Sequence, residues 1–170
     1  MILPSYHINI REAVFHDIKL IQELMQQVWP QTYAPIISAN QIRYMIEMMY
    51  STESLQNQMK NGHHFWIIEI NQTPMGYGSF SRTENWNTYK IHKLYILKEG
   101  QREGLGTALL NKFLHIIKSN HGKHVQLQVN RQNKQAIAFY EKNEFKVVKS
   151  VDFDLGNDYF MNDYIMQKTL

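Results

Sequence analysis

The sequence contains no cysteine, and this absence removes several kinds of chemistry at once. Without thiols, the 170-residue chain has no disulfide scaffold, no thiolate metal site and no cysteine nucleophile, so catalysis has to use other groups. A run of about 18 apolar residues, as a membrane-spanning helix requires, is also missing. The N-terminal stretch MILPSYHINI is too short and too polar for a secretory leader. These absences predict a cytoplasmic protein with no membrane partner.

No linker-like segment divides the chain. Internal repeats, low-complexity tracts and Pro-, Gly- or Ser-rich stretches are absent, and the sequence holds only 8 glycines and 4 prolines. With 44% hydrophobic residues, a chain of this length can bury one sizeable core but not two comfortable ones. We therefore predict a single domain over residues 1–170.

A strong excess of charge of either sign is absent as well. The 18 Lys and Arg residues outnumber the 15 Asp and Glu residues by only three, and the basic residues are scattered. Because no nucleic-acid recognition motif accompanies them, we expect no nucleic-acid partner. The aspartates are less evenly spread, since four of the five lie in the last twenty residues and could face a cationic partner. These four are Asp152, Asp154, Asp158 and Asp163.

The eight histidines do not form a pattern of metal ligands. His63 and His64 are adjacent in a predicted strand and would point to opposite faces, while His121 and His124 lie in a polar turn without an acidic or thiolate companion. No metal site is expected.

The spacing of apolar residues predicts the order of the elements. The apolar spacing alternates in YHINIRE and is helical in the three segments that follow, of which the first is expected to end at Pro30. It alternates again in three strands up to Leu97. A helix, a strand, a short helix opened by Asn133 and two last strands complete the chain. The order β-α-α-α-β-β-β-α-β-α-β-β predicts a mixed α+β sheet domain.

A glycine loop joins the fourth predicted strand to the following helix, in ILKEGQREGLGTALL. Gly104 and Gly106 allow the backbone to approach a ligand, and the first amides of the helix are free donors at the positive end of its dipole. Such a site suits a phosphate group. The lysine-bearing phosphate loop and the G-x-G-x-x-G motif with its distant acid are both absent, so nucleoside triphosphates and nicotinamide cofactors fit poorly.

Two segments resemble the motifs of the Gcn5-related N-acetyltransferases (GNAT). LYILKEGQREGLGTALL is similar to their acetyl-CoA segment, a strand followed by Gln/Arg-x-x-Gly-x-Gly/Ala and a helix, with Gln101, Gly104 and Gly106 in the defining places. VNRQNKQAIAFYEKNEFKVV is similar to their second motif. The resemblance implies a mostly antiparallel central sheet of seven strands flanked by helices, with the CoA site where the fourth strand meets the next helix.

The resemblance also implies how acetyl-CoA, as co-substrate, is held. Main-chain groups of the fourth strand would pair with the pantetheine arm, and amides of the glycine loop would hold the pyrophosphate at a helix N-terminus. The residues implied are Leu94, Tyr95, Ile96, Gln101, Arg102, Glu103, Gly104, Leu105, Gly106, Thr107, Asn130, Asn133, Ala136 and Tyr140.

Acetyl transfer to an amine needs an acid for the departing thiolate. The resemblance places the hydroxyl of Tyr140 near the CoA sulfur, and a phenol with a pKa of about 10 can donate a proton to a thiolate of comparable basicity. Tyr140 is therefore the candidate general acid.

The base is less well defined by the sequence. Many relatives in the family have a glutamate on the strand before the glycine loop, but YKIHKLYIL contains none. His92 is the only residue of that strand with a suitable pKa, and alternation places it on one face with Leu94 and Ile96. Glu69, Asp163 and a chain of water molecules are alternatives.

The resemblance implies an acceptor cleft between the first helices and the last strands. Trp29, Tyr33 and Tyr164 are predicted to bind the substrate there, and aromatic rings beside carboxylates suit a cation. Further candidates for its wall are Tyr44, Trp86 and Tyr159. We expect an N-acetyltransferase that moves the acetyl group from acetyl-CoA to a primary amine by direct attack.

The identity of the acceptor is predicted from a looser resemblance. FDLGNDYFMNDYIMQKTL and QIRYMIEMMYSTESLQNQM resemble the bacterial branch that acetylates diamines and polyamines, which favours a polyamine. An aminoglycoside-like amine, a protein or peptide amine, and a non-catalytic acyl-CoA-binding module remain alternatives, and a homodimer is left open.

Overall fold

The computed structural model describes residues 7–170. Most of the predicted strand YHINIRE is present, beginning at Ile8, while its first residue and most of the stretch used to exclude a leader lie outside the described residues. The helices are α1 (Ile18–Tyr33), α2 (Ala39–Tyr50), α3 (Thr52–Lys60), α4 (Leu105–Ser119) and α5 (Lys134–Lys142). The strands are β1 (Ile8–Glu12), β2 (His64–Ile70), β3 (Thr73–Arg82), β4 (Thr88–Ile96), β5 (His124–Asn130), β6 (Lys146–Gly156) and β7 (Tyr159–Thr169).

The seven strands form one sheet in the order β1-β2-β3-β4-β5-β7-β6, in which only β4 and β5 are parallel. Helices α1, α2 and α3 pack on one face of this sheet, and α4 and α5 pack on the other. The predicted mixed, mostly antiparallel fold with helices on both faces is confirmed. Of the described helices, none is long and apolar enough to cross a membrane.

Helix α1 continues past the proline that was expected to end it. Pro30 lies in its last turn, where the missing N–H removes only one intrahelical hydrogen bond. The turn is still closed by a bond of 3.0 Å from the Ala34 amide to the Pro30 carbonyl, and the rings of Trp29 and Tyr33 pack 4.5 Å apart. The extra turn carries Tyr33 toward the middle of the sheet.

A β-bulge in β4 opens the centre of the sheet. Ser79 lies opposite Lys93 and Phe80 opposite Ile91, so His92 is an extra residue with no partner on β3. A bulge kinks a strand and ends regular pairing. Accordingly, β4 pairs with β5 only from Thr88 to Ile91, and the two strands then diverge.

Helix α4 is held tightly against β3 and β4. A Cβ atom at Gly78 would lie 2.9 Å from the ring of Phe113, so only glycine permits this approach. The apolar stripe of α4 is fully buried at Leu105, Leu109, Leu110, Phe113 and Ile117. Burial of each such side chain contributes about 1.5–3 kcal/mol, which fixes the N-terminus of α4 beside the gap between β4 and β5.

Candidate active site

A cleft of about 420 Å³ lies where β4 and β5 diverge. Its walls come from both strands, the last turn of α1, the loop before α4, the start of α4 and one face of α5. All the residues predicted to bind acetyl-CoA line this cleft except Glu103, whose side chain is exposed outside it.

The glycine loop presents free amides to the cleft. Gly104 has φ +75°, in the left-handed region, and serves as the N-cap of α4 without any side-chain cap for the first amides. The first bond of the helix runs from the Ala108 amide to the Gly104 carbonyl, which leaves the amides of Leu105, Gly106 and Thr107 available to an anion. Because a Cβ at Gly104 would meet nothing within 4 Å, this glycine is needed for its backbone conformation rather than for space within the protein.

The open edge of β4 supplies a second set of backbone groups. Leu94 and Ile96 pair with Gly78 and Gly76 on β3, but on the side of β5 no strand of the described chain pairs with β4 beyond Ile91. An extended ligand with amide groups can take the place of the missing strand. The loop and the strand edge together therefore fit a ligand that carries a pyrophosphate at one end and an amide-containing arm at the other.

Tyr140 projects from α5 into this cleft. Its ring packs edge-on against Phe139 and Phe145, with ring centroids 5.2 and 5.6 Å away, and the residue is 8% exposed. Its hydroxyl has no hydrogen-bond partner among residues 7–170. Burial raises the pKa of Tyr140 well above its ordinary value, and the nearby Tyr33 raises it further, so the phenol holds its proton.

His92 lies on the bulge and faces the side of α1, α2 and α3. Its Nε2 is 2.8 Å from the Ser81 hydroxyl, and its ring stacks on that of His63 at 4.1 Å. Burial lowers the pKa of His92 to about 2, and the charges of His63, Lys90 and Lys93 add to this effect. His92 therefore stays neutral and is a poor proton acceptor at neutral pH.

The predicted alternation along β4 is wrong at this position. Leu94 and Ile96 pack against the α4 side of the sheet, whereas His92 does not share their face. The bulge is the physical reason, because one extra residue reverses the side on which every following residue lies.

A buried lysine next to the bulge was missed in the sequence. Lys93 is 7% exposed, and its Nζ donates a hydrogen bond of 2.7 Å to Gln58 Oε1 and lies over the rings of Tyr50 and Phe65. Burial lowers its pKa to about 7, and the charge of Lys90 lowers it further. The sequence did hold a signal for the bulge, because the adjacent polar residues His92 and Lys93 in YKIHKLYIL interrupt the alternation of a regular strand.

Among the acidic candidates, Asp163 lies inward and Glu69 is already paired. Asp163 is 6% exposed on β7, opposite Asn130 of the cleft wall, and its Oδ1 has no hydrogen-bond partner in the described part of the chain. Burial raises its pKa to about 6, against the lowering effect of two nearby cations. Glu69 instead accepts hydrogen bonds of 3.0 Å each from Arg11 and Asn9, at the β1 edge of the sheet.

The other C-terminal aspartates serve the β6–β7 hairpin. Asp152 forms an ion pair with Arg131 and accepts a bond of 2.7 Å from Asn162, and Asp154 accepts the Gly156 amide at 2.8 Å. Asp158 is exposed in the hairpin turn. Of the four C-terminal aspartates, therefore, only Asp163 points into the protein, and they do not form an acidic cluster.

The predicted aromatic wall is only partly assembled. Tyr33 lines the cleft, and its hydroxyl lies 2.9 Å from that of Tyr95. Trp29 is instead a core residue, 2% exposed, whose Nε1 donates to the Tyr50 hydroxyl at 3.1 Å. Tyr164 packs on the α4 side of the sheet, because alternation along β7 turns it away from Asp163.

The further aromatic candidates lie away from the cleft. Trp86 is 61% exposed in the loop before β4, at the opposite end of that strand from the glycine loop. Tyr44 and Tyr159 contact each other, with ring centroids 5.2 Å apart, and tie α2 to the β6–β7 hairpin. Within residues 7–170, no group of three His, Asp or Glu side chains is placed to hold a metal ion.

The fold and the cleft define a class of enzymes that bind coenzyme A across a divided sheet. Residues 33–160 match the family model described as an acetyltransferase (GNAT) domain, and the chain belongs to this family. The protein is thus an N-acetyltransferase, and acetyl-CoA is its co-substrate.

The chain is also similar to individual members. It is 30% identical over 159 residues to the spermidine N(1)-acetyltransferase of Thermoplasma acidophilum, covering 91% of this chain and 95% of that protein. A probable N-acetyltransferase of Mycobacterium tuberculosis is 30% identical over 151 residues, which cover 85% of this chain and 82% of the relative. The crystal structure of the PaiA N-acetyltransferase of T. acidophilum in complex with coenzyme A superposes with a TM-score of 0.82 at 29% identity, covering 96% of this chain and 99% of that one.

Proposed function

We propose that the protein transfers the acetyl group of acetyl-CoA to a primary amine of a small polyamine by direct attack. The observation that carries this proposal is the cleft itself, which joins the free amides of the glycine loop, Tyr140 and the inner end of α1 in one opening through the sheet. Donor and acceptor can therefore meet from opposite faces of the sheet. Acetyl-CoA supplies the activated acetyl group as a thioester.

The residues of this chain hold the donor by backbone groups. The amides of Leu105, Gly106 and Thr107 bind the pyrophosphate at the positive end of α4, and the open edge of β4 from Leu94 to Ile96 pairs with the pantetheine arm. Neither set depends on a charged side chain. The thioester is then held beside Tyr140.

Tyr140 acts as the general acid. Its raised pKa keeps the hydroxyl protonated at neutral pH, and among the described residues no hydrogen bond holds that hydroxyl elsewhere. A phenol placed beside the sulfur can donate its proton as the thiolate leaves.

The polyamine acceptor is supported by two observations. One relative, 30% identical over nearly the whole chain, is named a spermidine acetyltransferase. On the acceptor side, the ring of Tyr33 in the cleft wall offers an aromatic face to an organic cation. A peptide amine lacks the second ammonium group that gains from this contact.

An acceptor panel tests the proposal. Free thiol is followed with acetyl-CoA and spermidine, n-butylamine or peptides with free amines. We expect kcat/KM for spermidine to exceed that for n-butylamine by about tenfold or more, because one extra charged contact contributes about 1–2 kcal/mol. Equal values would contradict the polyamine proposal, and preference for a peptide would assign the acceptor to proteins. No thiol release with any amine would overturn acetyl transfer itself.

A further inference from the structure

An amine that attacks a thioester must lose one proton, and the bulge histidine of β4 is not suited to accept it. His92 is neutral, bonded to Ser81 and stacked on His63, on the side of the sheet where cations rather than acids surround it. The charged groups near it are Lys90 and Lys93. A different group must therefore accept the proton.

Asp163 has the placement that a base requires. Alternation along β7 puts it on the same face as Met161, which packs with α1 and α2, and thus on the acceptor side of the sheet. It lies directly opposite Asn130 of the cleft wall, and its negative charge is close enough to affect Tyr33. Burial raises the pKa of Tyr33 to about 12, and the charge of Asp163 contributes to that rise.

The cations near Asp163 are committed to other partners. Arg131, after β5, forms its ion pair with Asp152 and also donates to Ser150. Lys90, on β4, donates a hydrogen bond of 2.9 Å to Gln128 Oε1. Both lower the pKa of Asp163 from a distance, but within the described chain neither forms an ion pair with it. A buried carboxylate oxygen without a partner is costly, and such an unsatisfied group in a folded protein can mark a catalytic role.

We propose that Asp163 is the general base that takes the proton of the attacking amine, an inference that rests on the proposed function. The acceptor nitrogen forms the new bond to the acetyl carbon as the carbon–sulfur bond breaks and the sulfur leaves with the electron pair. The surplus proton on nitrogen passes to the carboxylate of Asp163, and Tyr140 donates its proton to the sulfur. The products are the acetylated amine and the CoA thiol. Asp163 then releases its proton to water, and Tyr140 regains one from water.

This role predicts a defined pH dependence. The groups that face Asp163 are Lys90 from β4, Arg131 from the loop after β5 and Tyr33 from α1. Burial outweighs the two cations, so the carboxyl titrates at a pKa of about 6 and is ionised above that pH. A base must be ionised to act, so kcat/KM should fall as the pH drops through about 6.

The test compares two acceptors in Asp163→Asn. Both amines attack in their neutral forms, after any ammonium proton has been lost to water. The nitrogen of spermidine is strongly basic and holds its surplus proton during attack, so it needs a base, whereas the weakly basic nitrogen of 2,2,2-trifluoroethylamine loses that proton easily. We expect kcat/KM for spermidine to fall by about 10²–10³-fold and its acidic limb near pH 6 to vanish. The loss for trifluoroethylamine should be less than about tenfold, and calorimetry should give an acetyl-CoA Kd within about twofold of the wild type.

Two control variants sharpen the comparison. Asp158→Asn makes the same change at an exposed position of the hairpin turn and should leave the pH profile intact. His92→Gln should retain the acidic limb, since His92 does not titrate in this range.

Four outcomes would overturn the proposal. An equal loss for both acceptors would assign Asp163 a structural role, and a rise in KM alone would make it an anchor for a remote ammonium group. If the acidic limb of the kcat/KM profile shifts in pH in His92→Gln, the histidine is the base. If Asp163→Asn does not fold, a wild-type profile without a limb between about pH 5 and 7 overturns the proposal. Failure of the proposed function is distinguishable, because the wild type would then acetylate neither amine.

Discussion

The ring of Tyr140 is fixed between Phe139 and Phe145, while its hydroxyl is not engaged by any described residue. In Tyr140→Phe the ring and its packing remain, and only the transferable proton is lost. We expect kcat to fall by about 10–1000-fold, with acetyl-CoA affinity nearly unchanged in calorimetry. Tyr89→Phe is a matched control, because Tyr89 is also 8% exposed but lies at the other end of β4. Steady-state rates of Tyr140→Phe within twofold of the wild type would exclude it as the acid.

At the scale of single residues, the sequence predicted the location of those residues that belong to a local motif. Gln101, Gly104 and Tyr140 lie in short segments whose backbone places them on one cleft. The positions of Trp29 and Tyr164 depend instead on which face of an element meets the sheet. An aromatic residue fits a core as well as a cleft, and the sequence does not distinguish the two.

The loop between β4 and α4 depends on a left-handed residue at its end. Gly104→Ala should destabilise the fold by about 1 kcal/mol, because alanine at φ +75° is strained. The same change should raise the Kd of acetyl-CoA by about tenfold or more, because the loop that carries the amides loses its shape. Calorimetry and thermal unfolding measure the two effects.

A second glycine provides the control for this prediction. Gly62 has φ +87°, and a Cβ atom there would also meet nothing within 4 Å, but this residue lies in the turn between α3 and β2. Gly62→Ala should therefore cost similar stability without changing acetyl-CoA affinity. If both variants bind acetyl-CoA alike, the loop conformation does not determine binding. Gly106→Val adds bulk next to Phe139 in the cleft and should abolish binding.

At the scale of elements, the order of helices and strands was predictable because apolar spacing repeats over many residues. Irregularities within a helix or strand could not be predicted in this way. Pro30 is tolerated in α1 because it costs one bond in a turn that packing holds, and the bulge at His92 results from a single extra residue in β4. The proline and the bulge each cost local backbone hydrogen bonding, and tertiary contacts that the sequence does not reveal offset this cost.

For the whole molecule, the buried amine of Lys93 makes stability depend on pH. Its pKa is lowered from 10.5 to about 7, so the unfolded chain binds more protons between these values and stability should rise as the pH increases from 7 to 10. Lys93→Met fills the same space without a charge and should raise Tm at pH 7 by several degrees. This gain should shrink at pH 9.5, where the penalty of the wild type is smaller. Lys19→Met, at an exposed position, is the control. Equal Tm gains of Lys93→Met at both pH values would refute the lowered pKa of Lys93.

Asp163 acts in the opposite direction on the acid side. Its folded pKa of about 6 lies above the ordinary value, so the folded state holds the proton more tightly and stability should decrease as the pH rises from about 4 to 6. The penalties of the two buried groups therefore coincide between about pH 6 and 7. The protein bears both penalties in this range, and such a cost to stability is common at active sites.

The short pairing between β4 and β5 forms part of the cleft, and it also affects how strongly the sheet is held together. Within the described chain the two strands pair only from Thr88–His124 to Ile91–Leu127. In the proposed complex, the arm of the donor takes the place of the missing strand beyond these pairs. A co-substrate that completes a sheet binds the folded chain and not the unfolded one, so the free energy of unfolding rises by RT ln(1 + c/Kd), where c is the concentration of the co-substrate. We therefore expect acetyl-CoA to protect the enzyme against heat, with a Tm that climbs as the co-substrate is titrated into thermal unfolding.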